Sequence, residues 1–247
     1  MSSARTPEPT PESETEAVRL RYARRDPAAL DWRYHRLNPA ALWPAQERER
    51  ALARHLLRHV GGDTAQLSTL RLLEVGCGTG GNLLELLRLG LAPQNLSGVE
   101  LLPERHQTAR GLLPAPVQLF WGDALELDWP PGHFDLVLQS TVFSSLLDDP
   151  YQQRLADQMW HWLKPGGAII WYDFTVNNPH NPDVRGVPLQ RVRTLFPQGE
   201  FQSQRLTLAP PLARWAVKLH PAAYTALNVL PLLRTHLLAW IVKPHHE

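Results

Sequence analysis

The chain has 247 residues, 43% of them hydrophobic, and its 25 Lys and Arg against 24 Asp and Glu leave a formal net charge of +1. That length and apolar content can bury one substantial core, so one α/β domain with additions is expected and a second full domain is not. The balanced charge gives no global field for nucleic acid, which is not expected as a partner unless a local patch holds it.

Residues 1–17, with Pro7, Glu8, Pro9, Pro11, Glu12, Glu14 and Glu16, lack the basic start and apolar run of a signal peptide and read as a disordered tail. No stretch reaches roughly eighteen apolar residues without a charge or proline, so no transmembrane segment is expected, although peripheral membrane contact stays open. Cys77 is the single cysteine. An internal disulfide is therefore impossible, and a reducing, cytoplasmic location is expected.

Residues 18–62 read as a helical arm in which Ala45 to Val60 sets Leu52, Leu56, Leu57 and Val60 on one face. Trp32, Tyr34 and Trp43 in this arm either cover a ligand or fill core. His55 and His59 stand four apart with no third ligand and no glutamate between them. That reads as a solvated helix face, and no metal site is expected.

The remainder, 63–247, carries the motifs. Leu70 to Val75 is a short apolar run suited to a parallel strand covered on both faces. It holds Glu74 at its end and runs into Gly76-Cys77-Gly78-Thr79-Gly80-Gly81, after which Asn82 to Leu89 takes a helical period. Leu96 to Glu100 is a second strand ending in an acid, placed where a carboxylate accepts both ribose hydroxyls. Val117 to Trp121 is a third, closed by Gly122-Asp123-Ala124. Phe134 to Gln139 follows Pro130-Pro131-Gly132-His133, and Ala168 to Phe174 follows Leu163-Lys164-Pro165-Gly166-Gly167. Gly76, Gly78 and Gly81 also satisfy the dinucleotide fingerprint, so an NAD(P)-dependent oxidoreductase is the enzymatic alternative. A carboxylate beside the first glycine, however, meets a cation better than a pyrophosphate.

Taken in order, these segments resemble the motifs of class I S-adenosylmethionine-dependent methyltransferases with a small-molecule, type 11-like domain, over about Leu70 to Phe174. The resemblance implies an α/β, Rossmann-like fold. Its seven-stranded, mostly parallel sheet has order 3-2-1-4-5-7-6, helices on both faces, an N-terminal helical lid and a helical insertion before the last strand. It implies S-adenosyl-L-methionine as cofactor, with Glu74 towards the methionine amino group and Gly76 and Gly78 against the amino-acid part. Glu100 would hold the ribose, and Asp123 and Ala124 would address the adenine. Gln139 would face the methionine side or the acceptor, while Cys77, Gly80, Asn82, Leu101, Gly122 and Tyr34 complete the expected cofactor contacts.

Past the fifth strand, Thr175 to Pro188 is a long loop, rich in proline and asparagine, that leaves the carboxyl end of a central strand and should overhang the acceptor. Leu189 to Phe196 reads as a short helix and Phe201 to Leu208 as a strand. Residues 210–235 form the apolar insertion, and His236 to Val242 is the seventh strand. Methyl transfer is an in-line displacement that asks mainly for alignment and exclusion of water. If the acceptor is a hydroxyl, Tyr172, Asp173 and His180 are the candidates to take its proton, and Arg33 and Arg185 suit an anionic acceptor. The Asn/Asp-Pro-Pro-aromatic signature of many amine methyltransferases is absent after strand four, which favours oxygen. The expected acceptor is a small molecule or a glycan- or lipid-linked precursor. Asp173 to Pro188 is also similar to methyltransferases that accompany bacterial surface-polysaccharide assembly. A cofactor-binding subunit without its own turnover is the non-enzymatic alternative.

Overall fold

The computed structural model describes residues 13–25, 32–33, 35–179 and 181–245. Seven strands form one sheet: β1 (Leu72–Val75), β2 (Leu96–Glu100), β3 (Gln118–Trp121), β4 (Phe134–Ser140), β5 (Leu163–Phe174), β6 (Glu200–Leu208) and β7 (Arg234–Val242). Their order is β3-β2-β1-β4-β5-β7-β6, as expected. β1 to β5 pair in parallel, and β7 runs antiparallel to both β5 and β6. Every residue of β1 and β2 is buried, the signature of parallel strands covered on two faces.

Pleating sends alternate side chains to opposite faces. On one face Leu73, Val75, Val137, Ile169 and Trp171 pack with α5 (Asp149–Trp162) and α6 (Leu189–Leu195). On the other, Leu72, Leu138, Ile170 and Leu238 pack with α2 (Pro39–His59), α3 (Gly81–Arg88) and α4 (Pro103–Leu112). A third, small core of Leu208, Ala213, Ala216 and Tyr224 lies under a helical cap. That cap is made by α7 (Pro210–Leu219), α8 (Pro221–Asn228) and a 3-10 turn, Pro231–Leu233. It occupies the expected place between β6 and β7.

Several expectations need correction. α1 (Glu14–Ala23) begins inside the stretch read as a disordered tail, because the Ser13 hydroxyl caps it and Glu14 and Glu16 sit in its first turn, where carboxylates favour the helix dipole. His55 is not on a solvated face. It is buried, its ring stacked on Trp240 at 5.3 Å, and His59 packs on the same indole. Burial, with Arg58 and Arg54 nearby, lowers its pKa to about 4. β5 starts at Leu163 rather than Ala168. The turn is drawn into the sheet because Leu163 pairs with Phe134 before the register shifts at Leu136, and Gly166 N donates to Lys243 O (2.7 Å).

Candidate active site

The carboxyl ends of β1, β4 and β5 gather the titratable groups, and the pleat sorts them. Glu74, Ser140, Tyr172 and His236 lie on the face covered by α2. Gln139 and Asp173 lie on the face covered by α5. The two groups do different work.

Glu74 is fully buried. Asn82 Nδ2 donates to its Oε1 (2.5 Å), while Oε2 has no hydrogen-bond partner among the described residues. Burial raises its pKa to about 8, against the lowering effects of Asn82 and Arg48. A carboxylate so placed is costly unless a donor or a cation arrives. Arg48 of α2 supports the arrangement. Its Nη2 donates to Asn82 Oδ1 (2.7 Å) and to Glu85 Oε2 (3.3 Å), its Nη1 reaches Ser140 Oγ (3.5 Å), and the guanidinium lies 5.2 Å from the Tyr172 ring centroid. Arg36 also pairs with Glu85.

The glycine loop is shaped by backbone. Gly76 has φ +66, and a Cβ there would stand 2.5 Å from Val142 Cγ2, so the loops after β1 and β4 touch only because residue 76 is glycine. Gly78, also at positive φ, donates its N–H to Glu100 Oε2 (2.8 Å), and Leu102 N donates to Oε1 (2.9 Å). Glu100 therefore fixes the loop, and each of its oxygens keeps a further lone pair. Cys77 is buried between neighbours, its thiol pKa pushed up by burial and by Glu74, so it acts as inert filler. Asp123 Oδ1 accepts from Leu125 N (2.9 Å) and from the Tyr151 hydroxyl (2.5 Å), which anchors the turn at Ala124. Leu101 is half-buried beside it, and Trp121 Nε1 donates to its carbonyl (3.3 Å).

The proton-accepting candidates separate. Asp173 Oδ2 accepts from Ser144 N (3.0 Å) and Oδ1 from Phe174 N (2.9 Å), with a pKa raised by burial to about 7. Gln139 Oε1 accepts from Val142 N (3.1 Å). Both therefore brace the segment 141–145, where Thr141 holds φ +57 and donates its N–H to Tyr172 O (2.8 Å). Tyr172 faces the other way. Its hydroxyl lies 2.7 Å from Thr207 Oγ1 and its ring stacks on His236 at 5.1 Å. Burial and the Arg48 charge lower the His236 pKa to about 4, so its imidazole is neutral at ordinary pH. His180 and Tyr34 lie outside the described residues. Arg185 pairs with Asp149, and Arg33 and Trp32 are exposed. Trp43 packs against the cap core with its Nε1 buried.

Sequence reasoning missed Arg48, Tyr151, Thr207 and His236. Arg48 lay among other arginines of the arm with no motif to single it out. Thr207 and His236 depend on β6–β7 pairing, which no local pattern reports. A cleft of about 560 Å³, lined by Gly132, Trp160, His161 and Lys243, lies at the opposite end of the strands, away from all these groups.

Residues 72–167 match the model of a family described as a methyltransferase domain. The chain is 23% identical over 175 residues to sterol 24-C-methyltransferase erg-4 of Neurospora crassa, covering 69% of this chain and 44% of that protein. It is 29% identical over 157 residues to a phthiotriol/phenolphthiotriol dimycocerosates methyltransferase of Mycobacterium leprae, covering 60% and 54%. The chain thus spans about half or less of the length of these relatives. Among solved structures, it is similar to a putative sarcosine dimethylglycine methyltransferase from Galdieria sulphuraria (TM-score 0.56, 15% identity, 80% and 85% covered). It is also similar to a SAM-dependent methyltransferase from Archaeoglobus fulgidus (TM-score 0.54, 14% identity, 81% and 97% covered). The fold is the one seen in S-adenosylmethionine-dependent methyltransferases, and residues 72–167 match a methyltransferase-domain model.

Proposed function

We propose that the chain transfers a methyl group from S-adenosylmethionine to a hydroxyl of an apolar, lipid-like small molecule. The observation that carries the donor half is the buried, unpartnered Oε2 of Glu74 at the tip of β1. It fits an ammonium-bearing nucleoside, whereas a dinucleotide pyrophosphate would meet a carboxylate there. The donor, when bound, supplies a methyl group already activated on a sulfonium. Glu74 and the Gly76–Gly80 loop would hold its amino-acid part, with Cys77 and Asn82 behind them. Glu100 and Leu101 would hold the ribose, and Gly122, Asp123 and Ala124 the adenine. Fixing the donor in this way supplies alignment and excludes water, the main demands of in-line displacement.

The acceptor half rests on the face shared by Ser140, Tyr172 and His236 under Arg48. A neutral imidazole held against Tyr172 can accept a hydrogen bond from the acceptor hydroxyl and orient it, although a pKa lowered to about 4 makes it a weak base. Asp173 is engaged by two backbone N–H groups, so it is a positioning residue for 141–145 in this reading. A lipid-like acceptor is favoured by likeness to sterol and phthiotriol dimycocerosates methyltransferases. It is favoured over a glycan-linked precursor of surface-polysaccharide assembly because Arg185, the arginine of the 175–188 loop, is paired with Asp149. A reducing, cytoplasmic setting suits the lone Cys77 thiol.

Calorimetric titration tests the donor half. S-adenosylhomocysteine is expected to bind and NADH is not, and heat with NADH alone would overturn the reading in favour of the oxidoreductase. Labelled donor offered with hydroxylated sterols and polyketide-like diols, against sugar phosphates and amines, tests the acceptor half. Transfer only to amines or sugar phosphates would reject it. Donor binding with turnover appearing only after a second protein is added would favour the subunit reading.

A further inference from the structure

α7 packs Leu212 and Val217 against the cap core yet keeps its largest apolar side chain outside. It buries Ala213 and Ala216 against the cap core and leaves Trp215 56% and Leu219 60% exposed, although burial would favour the larger side chains. The rest of the cap repeats the pattern, with Val229, Leu230 and Leu232 exposed, the last to 90%. Five large apolar residues therefore crowd onto about eighteen positions of one subdomain. Arg214 and Lys218 stand one residue before Trp215 and Leu219, exposed on the same stripe of α7, with no ion pair among the described residues. From residue 201 to residue 246 the sequence contains no Asp or Glu, whereas it contains Arg205, Arg214, Lys218, Arg234 and Lys243. A surface that pairs exposed Trp and Leu with unopposed cations, on a segment without acids of its own, is complementary to an anionic lipid surface. No helix among the described residues is long and apolar enough to cross a membrane, so the contact would be peripheral.

We infer that the cap formed by α7, α8 and the Pro231–Leu233 turn docks the protein on the surface of an anionic phospholipid bilayer. Trp215, Leu219 and Leu232 enter the headgroup boundary, and Arg214 and Lys218 pair with lipid phosphates. The cap also touches the acceptor half: Glu47 Oε2 accepts from Thr207 N (3.0 Å) and from the Tyr224 hydroxyl (3.4 Å), and Thr207 holds Tyr172. Docking there sets the carboxyl edge of the sheet against the lipid, where an apolar acceptor would be met. That last point rests on the proposed acceptor, while the docking itself does not.

Flotation of the full chain with vesicles of phosphatidylcholine alone, and of phosphatidylcholine mixed with phosphatidylglycerol, tests the inference. Binding is expected only to the mixed vesicles and should weaken as salt rises. Replacing Arg214 and Lys218 by Glu, or Trp215, Leu219 and Leu232 by Ser, should each lower the vesicle-bound fraction at least about tenfold. The melting temperature and S-adenosylhomocysteine affinity should not change, which separates loss of docking from loss of the donor site. If the triple Ser variant fails to fold, quenching by brominated lipid, compared between the intact chain and Trp215→Phe, reads the same contact. Equal binding to neutral vesicles, no binding at all, or lipid-independent dimers abolished by the same substitutions would overturn the inference.

Discussion

The proposed donor half and the proposed acceptor half of this molecule are built on different principles. At β1, β2 and the Gly76–Gly80 loop, the partners are close in sequence and mostly backbone: Gly78 N and Leu102 N on Glu100, and Asn82 on Glu74. At β4, β5, β6 and β7, the partners come from far away in the sequence and involve mostly side chains. Arg48 reaches Ser140, Tyr172 reaches Thr207, and Glu47 reaches both Thr207 and Tyr224. A backbone-defined pocket tolerates change in its surroundings and little change in itself. A side-chain network spread over four elements is easily retuned, which suits a site that must fit one acceptor among many.

The comparison breaks most sharply at Gly76. Gly76→Ala adds a Cβ within 2.5 Å of Val142 Cγ2 in a left-handed backbone that costs roughly 1–2 kcal/mol for L-residues. Donor affinity is expected to fall about a hundredfold by titration with S-adenosylhomocysteine. Adding Val142→Ala should recover the steric part and leave the backbone part, whereas no recovery would mean that the two loops do not touch. Next in size is Arg48→Met, which removes the donations to Asn82 and Glu85 while Arg36 stays on Glu85. Lost charged hydrogen bonds of about 1.5–3 kcal/mol predict a tenfold to hundredfold fall in kcat/KM. Because Arg48 spans both halves, donor affinity and turnover should fall together. An effect on one alone would place it in a single half.

A pH titration probes Glu74 directly. Its folded-state pKa, raised from 4.5 to about 8, means that the native protein holds a proton which the unfolded chain gives up. The stability contributed by this group is therefore full below about pH 4.5 and is lost as pH rises through about 8. A donor carrying an ammonium group binds the ionised form, so its affinity should rise close to tenfold between pH 6 and pH 7, below the titration of the donor's own amine. Glu74→Gln should flatten that slope, weaken binding, and raise the melting temperature of the free protein above pH 8. A slope that survives the substitution would assign the proton to another group. The smallest effect is expected at Asp173. Asp173→Asn should cost about 1–3 kcal/mol of stability in a thermal melt and less than about tenfold in turnover, since it removes support from 141–145. Loss of a general base would instead cost a factor of at least about a hundred.

This division also explains what could be read from the residues. The strands, the acid before the glycines and the end of β2 were legible because each is coded within a few residues by apolar runs and glycine placement, whereas the strand order followed from the family resemblance alone. Tyr172 and Asp173 looked alike because both end β5, yet the pleat sends them to opposite faces and only one faces Arg48. His236 was legible as the start of a strand and not as a site residue, since its role depends on the register Phe174↔His236 across an antiparallel pair. The start of α1 was missed because proline- and glutamate-rich composition outweighed one serine cap.

α1 has a consequence for how the protein can be divided. Arg21 Nη2 donates to Ser145 O (2.9 Å), and Leu147 N donates to Glu14 Oε1 (2.6 Å), so the first described helix is stitched to the segment that Asp173 and Gln139 brace from below. A fragment trimmed to begin just before β1 would keep every recognisable motif and lose the support of 145–147, along with Arg48. On the proposed function, such a fragment should still bind S-adenosylhomocysteine weakly and turn over poorly, because the helix that clamps 145–147 would be gone.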